Sequence, residues 1–216
     1  MPLSNLNEEQ LSAATCDHGF NLIIASAGTG KTSTIVGRIA NLINNGVKPE
    51  EILLLTFTNK AAAEMVQRVA KFFGKEVAKQ IMAGTFHSVS YKLLKQLNKN
   101  ITLKQPNELK TLFRSIYEKR VFVEREEDTN PYDGGYLYDL YSLYLNSNEG
   151  EDFGEWVKDK NPDHELYTMI YEDVVLEFHE LKAKYGYANF DDLLTIMLET
   201  LKEETFEFKE ILVDEY

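Results

Sequence analysis

A glycine-rich turn contains the residues of this chain that are best suited to chemistry. The turn reads ASAGTGKT at 25–32, between an apolar run and a stretch with helical spacing. Gly28 and Gly30 free the backbone to point N–H groups at phosphate oxygens, and the following helix adds the positive end of its dipole. Lys31 can then reach the β- and γ-phosphates, while the Thr32 hydroxyl is suited to Mg²⁺. The turn predicts a site for a nucleoside triphosphate and its magnesium ion.

The predicted phosphate contacts extend along the whole turn. The usual pattern has glycine where this chain has Ser26, but both later glycines, the lysine and the threonine are in place. The nucleotide-binding residues predicted within the turn are Ser26, Ala27, Gly28, Thr29, Gly30, Lys31 and Thr32.

An acidic pair near the end of the chain could complete such a site. The run ILVDE at 211–215 is an apolar strand that ends in two carboxylates. Asp214 would hold Mg²⁺ through water, and Glu215 would orient and deprotonate the attacking water. The sequence therefore predicts Lys31, Asp214 and Glu215 as catalytic residues, with Thr32 and Asp214 as metal ligands.

The elements that must position these residues follow an alternating pattern. Two apolar runs, NLIIA at 21–25 and ILLLTF at 52–57, are nearly continuous, as in parallel strands that are covered on both faces. Between them, apolar residues recur at helical spacing, and Gly46 closes the segment. We therefore predict a strand, a helix and a second strand, which together form a βαβ unit.

The same pattern continues more weakly up to residue 97. A helix is predicted from Asn59, with Gly74 as its C-terminal stop. A third strand over 80–84 and a helix over 85–97 follow.

The region from 98 to 186 has a different character. It is rich in Tyr, Glu, Asp and Lys and has helical stripes without convincing buried strands, so it predicts a helical insertion. The turn-forming stretch NPYDGG at 130–135 predicts a loop. The clearest stripe, interpreted as packing, ends at Gly186 and consists of Leu166, Ile170, Val174, Phe178, Leu181 and Tyr185.

Composition limits the class of protein. The 216 residues can bury one good core and a second small one, and they include a single cysteine, Cys16, which excludes an internal disulfide. No apolar run approaches the roughly 20 residues that span a bilayer, so we expect no membrane association and a reducing, cytoplasmic location. A net charge of −12 argues against a protein that coats nucleic acid with a broad basic surface. A narrow groove for a single strand is still compatible with this charge.

Four further motifs resemble those of the superfamily 1 helicases of the UvrD/PcrA/Rep type. They are LNEEQ at 6–10, TFTNKAAAEM at 56–65, GTFHS at 84–88 and FDDLL at 190–194. The resemblance implies that Gln10 reads the adenine edge of ATP. An alternative for the first motif is an ordinary capped helix that opens at Asn7.

The resemblance also implies contacts with single-stranded DNA. Thr58, Asn59 and Lys60 stand at a predicted helix N-terminus, where hydroxyl, amide and backbone donors favour a phosphate. Phe57 could stack on a base or, as an alternative, lie in the core. Thr85, His87 and Phe190 are the other strand contacts that the resemblance implies. Asp191 and Asp192 are equally consistent with an acidic helix N-terminus.

The fold implied by the resemblance is an α/β, RecA-like P-loop NTPase domain with a parallel sheet and an inserted helical subdomain. Domain 1A would comprise 1–97 and, after the return of the chain, 187–216, which ends at the Walker B strand; subdomain 1B would comprise 98–186. The family implies movement 3′ to 5′ on DNA and a second motor domain beyond these residues. We therefore expect a monomeric N-terminal part of a helicase, nearly inactive alone in hydrolysis and unwinding.

Two other functions are compatible with the phosphate-binding turn. One is a small P-loop kinase with the helical region as a lid, whose lid arginines would come from Arg114, Arg120 and Arg125. The other is a nucleotide-dependent binding module without turnover.

Overall fold

The computed structural model describes residues 2–26, 28–120, 131–147 and 152–214. They form two compact units, one of residues 1–97 and 193–216 and the other of residues 98–192. In chain order, the helices and strands are α1 Glu8–Ala14, α2 Lys31–Asn44, β1 Ile52–Leu55, α3 Asn59–Phe73, α4 Lys75–Ala78, β2 Met82–Gly84, α5 Phe86–Gln96, β3 Thr102–Leu103, α6 Pro106–Tyr117, α7 Gly134–Leu145, α8 Phe153–Lys160, α9 Thr168–Tyr185, β4 Tyr187–Ala188, α10 Phe190–Glu203 and β5 Glu210–Val213.

A parallel sheet organises the first unit. Its strand order among the described residues is β2-β1-β5, and both pairings are parallel. The central strand β1 is buried along its whole length, as its continuous apolar sequence predicts. The α/β class and the parallel sheet are therefore confirmed.

Helices α2 and α3 supply the core on one face of this sheet. Their apolar stripes place Ile39 and Met65 in full burial against Ile52 and Leu54 of β1. Burial of each such side chain contributes about 1.5–3 kcal/mol to the stability of the unit.

The predicted first strand over 21–25 is wrong. These residues have no regular structure, and Leu22 and Ile24 are 75% and 90% exposed. None of the described strands pairs with them, and a strand needs a neighbouring strand to satisfy its N–H and C=O groups. The run precedes the turn as a largely exposed segment without regular structure instead.

The predicted ends of α3 are confirmed. The Thr58 side chain accepts a hydrogen bond from the Ala61 N–H, and Gly74 follows the helix at φ +86°. Residues with a side chain rarely adopt that angle, so the chain turns away there at little cost. The third strand is shorter than predicted, at Met82–Gly84, and Thr85 caps α5.

The second unit is built from α6, α7, α8 and α9 around an aromatic core. Phe113 stacks on Tyr141 at 5.4 Å between ring centroids and meets Phe178 edge-on at 5.3 Å. The buried cluster consists of Leu109, Phe113, Ile116, Tyr117, Leu137, Tyr141, Phe153, Trp156, Val157, Tyr171, Val174 and Phe178.

Local features of this unit differ from the sequence predictions. The two-residue strands β3 and β4 form a parallel pair that was not predicted, since strands of this length leave no alternating pattern. Gly134 and Gly135 open α7 instead of lying in a loop, because the Asp133 carboxylate accepts from the N–H groups of Gly135 and Tyr136. Asn130 lies outside the described residues.

The predicted α9 stripe holds at its centre and fails at its ends. Val174 and Phe178 are buried, whereas Leu166 precedes the helix and is 71% exposed. Tyr185, in the last turn before Gly186, is also exposed.

Acid should destabilise the second unit through His164. This side chain is fully buried, with Nδ1 2.7 Å from the Tyr171 hydroxyl, and burial lowers the pKa of the imidazole. Below about pH 6.5 the unfolded chain binds a proton that the folded unit resists, so stability falls as the pH falls. Thermal denaturation should show a lower melting temperature at about pH 5.5 than at about pH 7.5.

The variant His164→Gln isolates this contribution. Burial also lowers the pKa of His179, so the variant should lose part of the acid sensitivity and not all of it. Equal acid sensitivity of the variant and the unaltered chain would contradict the assignment to His164.

Candidate functional site

The turn before α2 requires glycine at two positions. Gly28 and Gly30 have φ of +80° and +88°, angles that residues with a side chain rarely adopt. A Cβ at Gly30 would also lie 2.5 Å from Gln10 Nε2, whereas one at Gly28 would meet nothing within 4 Å. The turn therefore packs closely against the Gln10 side chain of α1 at Gly30, whereas the space beside Gly28 is empty of described atoms.

Helix α2 begins directly after a glycine. Its N-cap is Gly30, and among the described residues no side chain caps it, whereas Asn7, Thr58 and Thr85 cap α1, α3 and α5 of the same unit. The first N–H groups of a helix need an acceptor, and the helix dipole favours an anion there. This N-terminus therefore has the properties of an anion-binding site.

The Lys31 side chain folds over the turn. Its Nζ donates to the carbonyls of Ala25 and Ser26 at 3.1 and 3.3 Å. Thr29 Oγ1 also donates to the Ser26 carbonyl, at 2.7 Å. These acceptors are neutral, so a phosphate would compete favourably for the lysine. Thr32 is half-buried in the first turn of α2, and Ala27 lies outside the described residues.

Gln10 joins α1 to the turn. Its Oε1 accepts from the Asn7 N–H at 3.1 Å, and its Nε2 donates to the Thr29 carbonyl at 2.9 Å. The capped helix that opens at Asn7 is therefore confirmed, and it places Gln10 beside the turn. Its contact with adenine stays a prediction.

A largely buried ion pair connects α2 to the start of β5. Arg38 Nη2 donates to Glu210 Oε1 at 2.8 Å, with the two side chains only 8% and 12% exposed. Arg38 also donates to the Cys16 carbonyl, and His18 Nδ1 lies 2.6 Å from the same Glu210 oxygen. The pair fixes the lateral position of β5 against the helix.

This ion pair connects the helix that follows the turn with the strand that precedes the predicted acids. Lys31 lies seven residues before Arg38, about 10 Å along the helix. Asp214 lies four residues beyond Glu210, about 13 Å along the strand direction, at the carboxyl end of β5.

Asp214 is held at that edge by the backbone. Its N–H donates to the Leu55 carbonyl at 2.9 Å, which extends the β1–β5 ladder by one residue. Glu215, the predicted water-activating residue, lies outside the described residues.

A second group of predicted contacts lies where β1 and β2 end. Phe57 is 78% exposed, so the alternative prediction that its side chain lies in the core is wrong. Thr58 caps α3, while Asn59 and Lys60 form its exposed first turn. Thr85 caps α5, and His87 is half-buried in the first turn of that helix.

One interaction that the sequence did not indicate joins these two helix N-termini. Asn59 Oδ1 accepts from the Ser88 hydroxyl at 3.1 Å and lies 3.4 Å from the Thr85 N–H. Ser88 carried no signal in the sequence beyond its place in GTFHS, because its partner is 29 residues away.

Phe190 lies in the other unit from Phe57. It is the first residue of α10 and is 55% exposed. The acidic helix N-terminus is confirmed for Asp192, which accepts from the Asn189 N–H at 2.7 Å and pairs with Lys182 at 2.7 Å.

The arginines of the kinase alternative are engaged elsewhere. Arg114 pairs with Glu118 at 2.6 Å, and Arg120 pairs with Glu177 at 2.7 Å. Arg125 lies outside the described residues. No helix within the described ranges is long and apolar enough to cross a bilayer.

Known proteins resemble the whole chain. Residues 6–216 match the UvrD/REP helicase N-terminal domain family. The ATP-dependent DNA helicase PcrA of Leuconostoc citreum is 31% identical over 99% of this chain and 29% of its own length. The PcrA of Staphylococcus aureus strain Mu50 is 30% identical over 85% of this chain and 29% of its own length. The chain thus spans less than a third of these curated relatives.

The substitution Glu210→Ala should destabilise the first unit strongly. It leaves the buried Arg38 charge without its carboxylate, which typically costs about 3–5 kcal/mol. Urea denaturation measures the loss, with Glu76→Ala as the control because the Lys79–Glu76 pair is exposed and contributes little. Equal stability of the two variants would show that the Arg38–Glu210 pair does not hold β5 in place.

Proposed function

Because the chain belongs to the UvrD/REP helicase family, we propose that it is the N-terminal ATP- and single-stranded-DNA-binding portion of an ATP-dependent 3′–5′ DNA helicase. The observation that carries the nucleotide half is the uncapped N-terminus of α2, preceded by two left-handed glycines and followed by Lys31. In this proposal the RecA-like domain 1A comprises residues 1–97 and 187–216, and subdomain 1B comprises residues 98–186.

Residues of the turn would hold the triphosphate. The N–H groups at the start of α2, which no described side chain caps, and the open space beside Gly28 suit phosphate oxygens. Lys31 Nζ would exchange the carbonyls of Ala25 and Ser26 for the β- and γ-phosphates. This exchange replaces neutral acceptors with charged ones, so it favours the bound state.

The metal would lie between α2 and β5. Thr32 would supply a hydroxyl ligand, and Asp214 would hold a water of the ion, which fits the hard-oxygen preference of Mg²⁺. When bound, the ion neutralises phosphate charge during transfer. Glu215, the next residue, would orient and deprotonate the attacking water, and Gln10 would contact the adenine.

Single-stranded DNA would lie across the ends of β1 and β2. Exposed Phe57 offers a ring for base stacking, and the starts of α3 and α5 offer donors for phosphates. Thr58, Asn59, Lys60, Thr85 and His87 are the proposed contacts, with Phe190 as a further stacking residue. A site of this kind uses few charges, which is compatible with a net charge of −12.

Turnover by the 216-residue chain alone should be poor. In the family, a second motor domain places arginines against the phosphates, and such an arginine can contribute about 10³- to 10⁵-fold in rate. Residues of this kind are expected in the part of the relatives that the chain does not span. We therefore expect nucleotide binding with very slow hydrolysis and no unwinding.

The alternatives predict different behaviour. A small P-loop kinase would transfer phosphate to a small molecule and ignore DNA, and the ion pairs of Arg114 and Arg120 count against it. A nucleotide-dependent binding module would bind ATP and a protein partner without turnover.

Paired substitutions separate the two proposed sites. Lys31→Ala should weaken binding of a fluorescent ATP analogue at least about tenfold, because it removes a charged contact to phosphate, and should leave oligonucleotide binding unchanged. Phe57→Ala should weaken single-stranded DNA binding by about five- to tenfold or more through lost stacking, and should leave ATP binding unchanged.

Matched controls are Lys75→Ala and Phe72→Ala, which remove an exposed lysine and an exposed phenylalanine elsewhere in the first unit. Binding of the analogue that does not respond to Lys31→Ala would refute the nucleotide site. Oligonucleotide binding that does not respond to Phe57→Ala would refute the stacking role.

A steady-state ATPase assay tests the expected inactivity. The rate should stay near background with and without single-stranded DNA, because the arginines on one wall of the proposed site belong to the second motor domain that the family implies. DNA-stimulated hydrolysis at about the 1–10³ s⁻¹ typical of enzymes would contradict this expectation.

A further inference from the structure

The Ser88 hydroxyl lies at the junction of the two helices that carry the proposed DNA contacts. It accepts from the Thr85 N–H at 2.9 Å, and its oxygen lies 3.1 Å from Asn59 Oδ1. Asn59 opens α3 and Ser88 lies in the first turn of α5, so one hydroxyl connects the helix that follows β1 with the helix that follows β2.

Gly84 makes room for this connection. A Cβ at Gly84 would lie 2.4 Å from Ser88 Oγ, a distance that real structures do not tolerate. Gly84 has no positive φ, so the close approach of the hydroxyl, and not backbone strain, is what requires a glycine here. Gly84, the last residue of β2, therefore leaves the space that the Ser88 side chain occupies in the first turn of α5.

The junction fixes the orientation of the Asn59 amide. The Thr85 backbone N–H can only donate, and it lies 3.4 Å from Asn59 Oδ1 in addition to its bond to Ser88 Oγ. The Ser88 hydroxyl lies 3.1 Å from both Asn59 Oδ1 and the Thr85 carbonyl, to either of which it can donate. The amide oxygen therefore faces α5, and Nδ2 is turned the opposite way on an exposed residue. With its oxygen engaged, Asn59 presents two N–H donors at the start of α3.

We propose that Ser88 is a positioning residue of the single-stranded DNA site, acting through Asn59. Its hydroxyl holds the Asn59 amide with the donors outward, and it keeps the starts of α3 and α5 at a fixed spacing. The two helix N-termini then receive phosphates of one strand as a single preorganised surface. This inference rests on the proposed function and adds a residue that does not touch the DNA itself.

The test measures binding of a short fluorescein-labelled oligothymidylate to the full chain. Ser88→Ala should weaken binding by about three- to tenfold, the loss expected when one hydrogen-bonded contact is no longer held in place. Ser88→Thr, which keeps a hydroxyl, should restore most of the affinity. Ser90→Ala, on the same helix but outside the junction, is the matched control.

Three readouts distinguish positioning from general damage. Ser88→Ala should lose most of its effect in an Asn59→Ala background, because the hydroxyl then has no amide to hold. The slope of log K against log salt should not change, whereas Lys60→Ala should reduce it by about 0.7. Binding of the fluorescent ATP analogue should equal that of the unaltered chain.

The possible results separate this inference from the proposed function. An unaltered chain that does not bind the oligonucleotide overturns the DNA half of the proposed function and this inference with it. If the unaltered chain binds, any of three results overturns the inference alone. Ser88→Ala could bind the oligonucleotide as tightly as Ser90→Ala does, or it could weaken binding by the same factor in the Asn59→Ala background. The third such result is a parallel loss of ATP binding in Ser88→Ala.

Discussion

The parallel pairing of β1 with both of its neighbours is the constraint on which the rest of this structure depends. Parallel strands end at the same edge of a sheet, so the residues that follow them converge there. The pairing extends past the strands, because the Thr56 N–H donates to the Gly84 carbonyl and the Asp214 N–H to the Leu55 carbonyl. The starts of α3 and α5 and the predicted metal ligand Asp214 are all placed at this edge by backbone hydrogen bonds.

Differences in helix capping then distinguish the two proposed sites. Helices α3 and α5 are closed by Thr58 and Thr85, so their donors are partly satisfied before any ligand arrives. Helix α2 begins at Gly30 without such a cap. A strongly charged triphosphate suits the open N-terminus, whereas a strand that must be held and released suits donors that are already partly paired.

Local signals in the sequence predicted much of this arrangement. The start of helix α3 after Thr58 and its end before Gly74 could both be predicted, because caps and left-handed glycines act within a few residues. The turn at 25–32 was found for the same reason, since its glycines and lysine are adjacent.

Features that depend on distant partners could not be predicted in this way. The apolar run at 21–25 has the composition of a strand, but a strand exists only where a neighbour pairs with it. The Arg38–Glu210 pair spans 172 residues and the Asn59–Ser88 contact spans 29, so neither leaves a periodic pattern. The positions of both were decided by tertiary packing.

The central claim is that a single nucleotide is bounded by the turn around Lys31 and by the end of β5. Amide hydrogen exchange with and without Mg²⁺ and a non-hydrolysable ATP analogue tests it most directly, because both segments are observed in one experiment. The account predicts slower exchange in the turn and first turn of α2 and at residues 210–214. Protection that is absent from the turn, or that never reaches the end of β5, would contradict it.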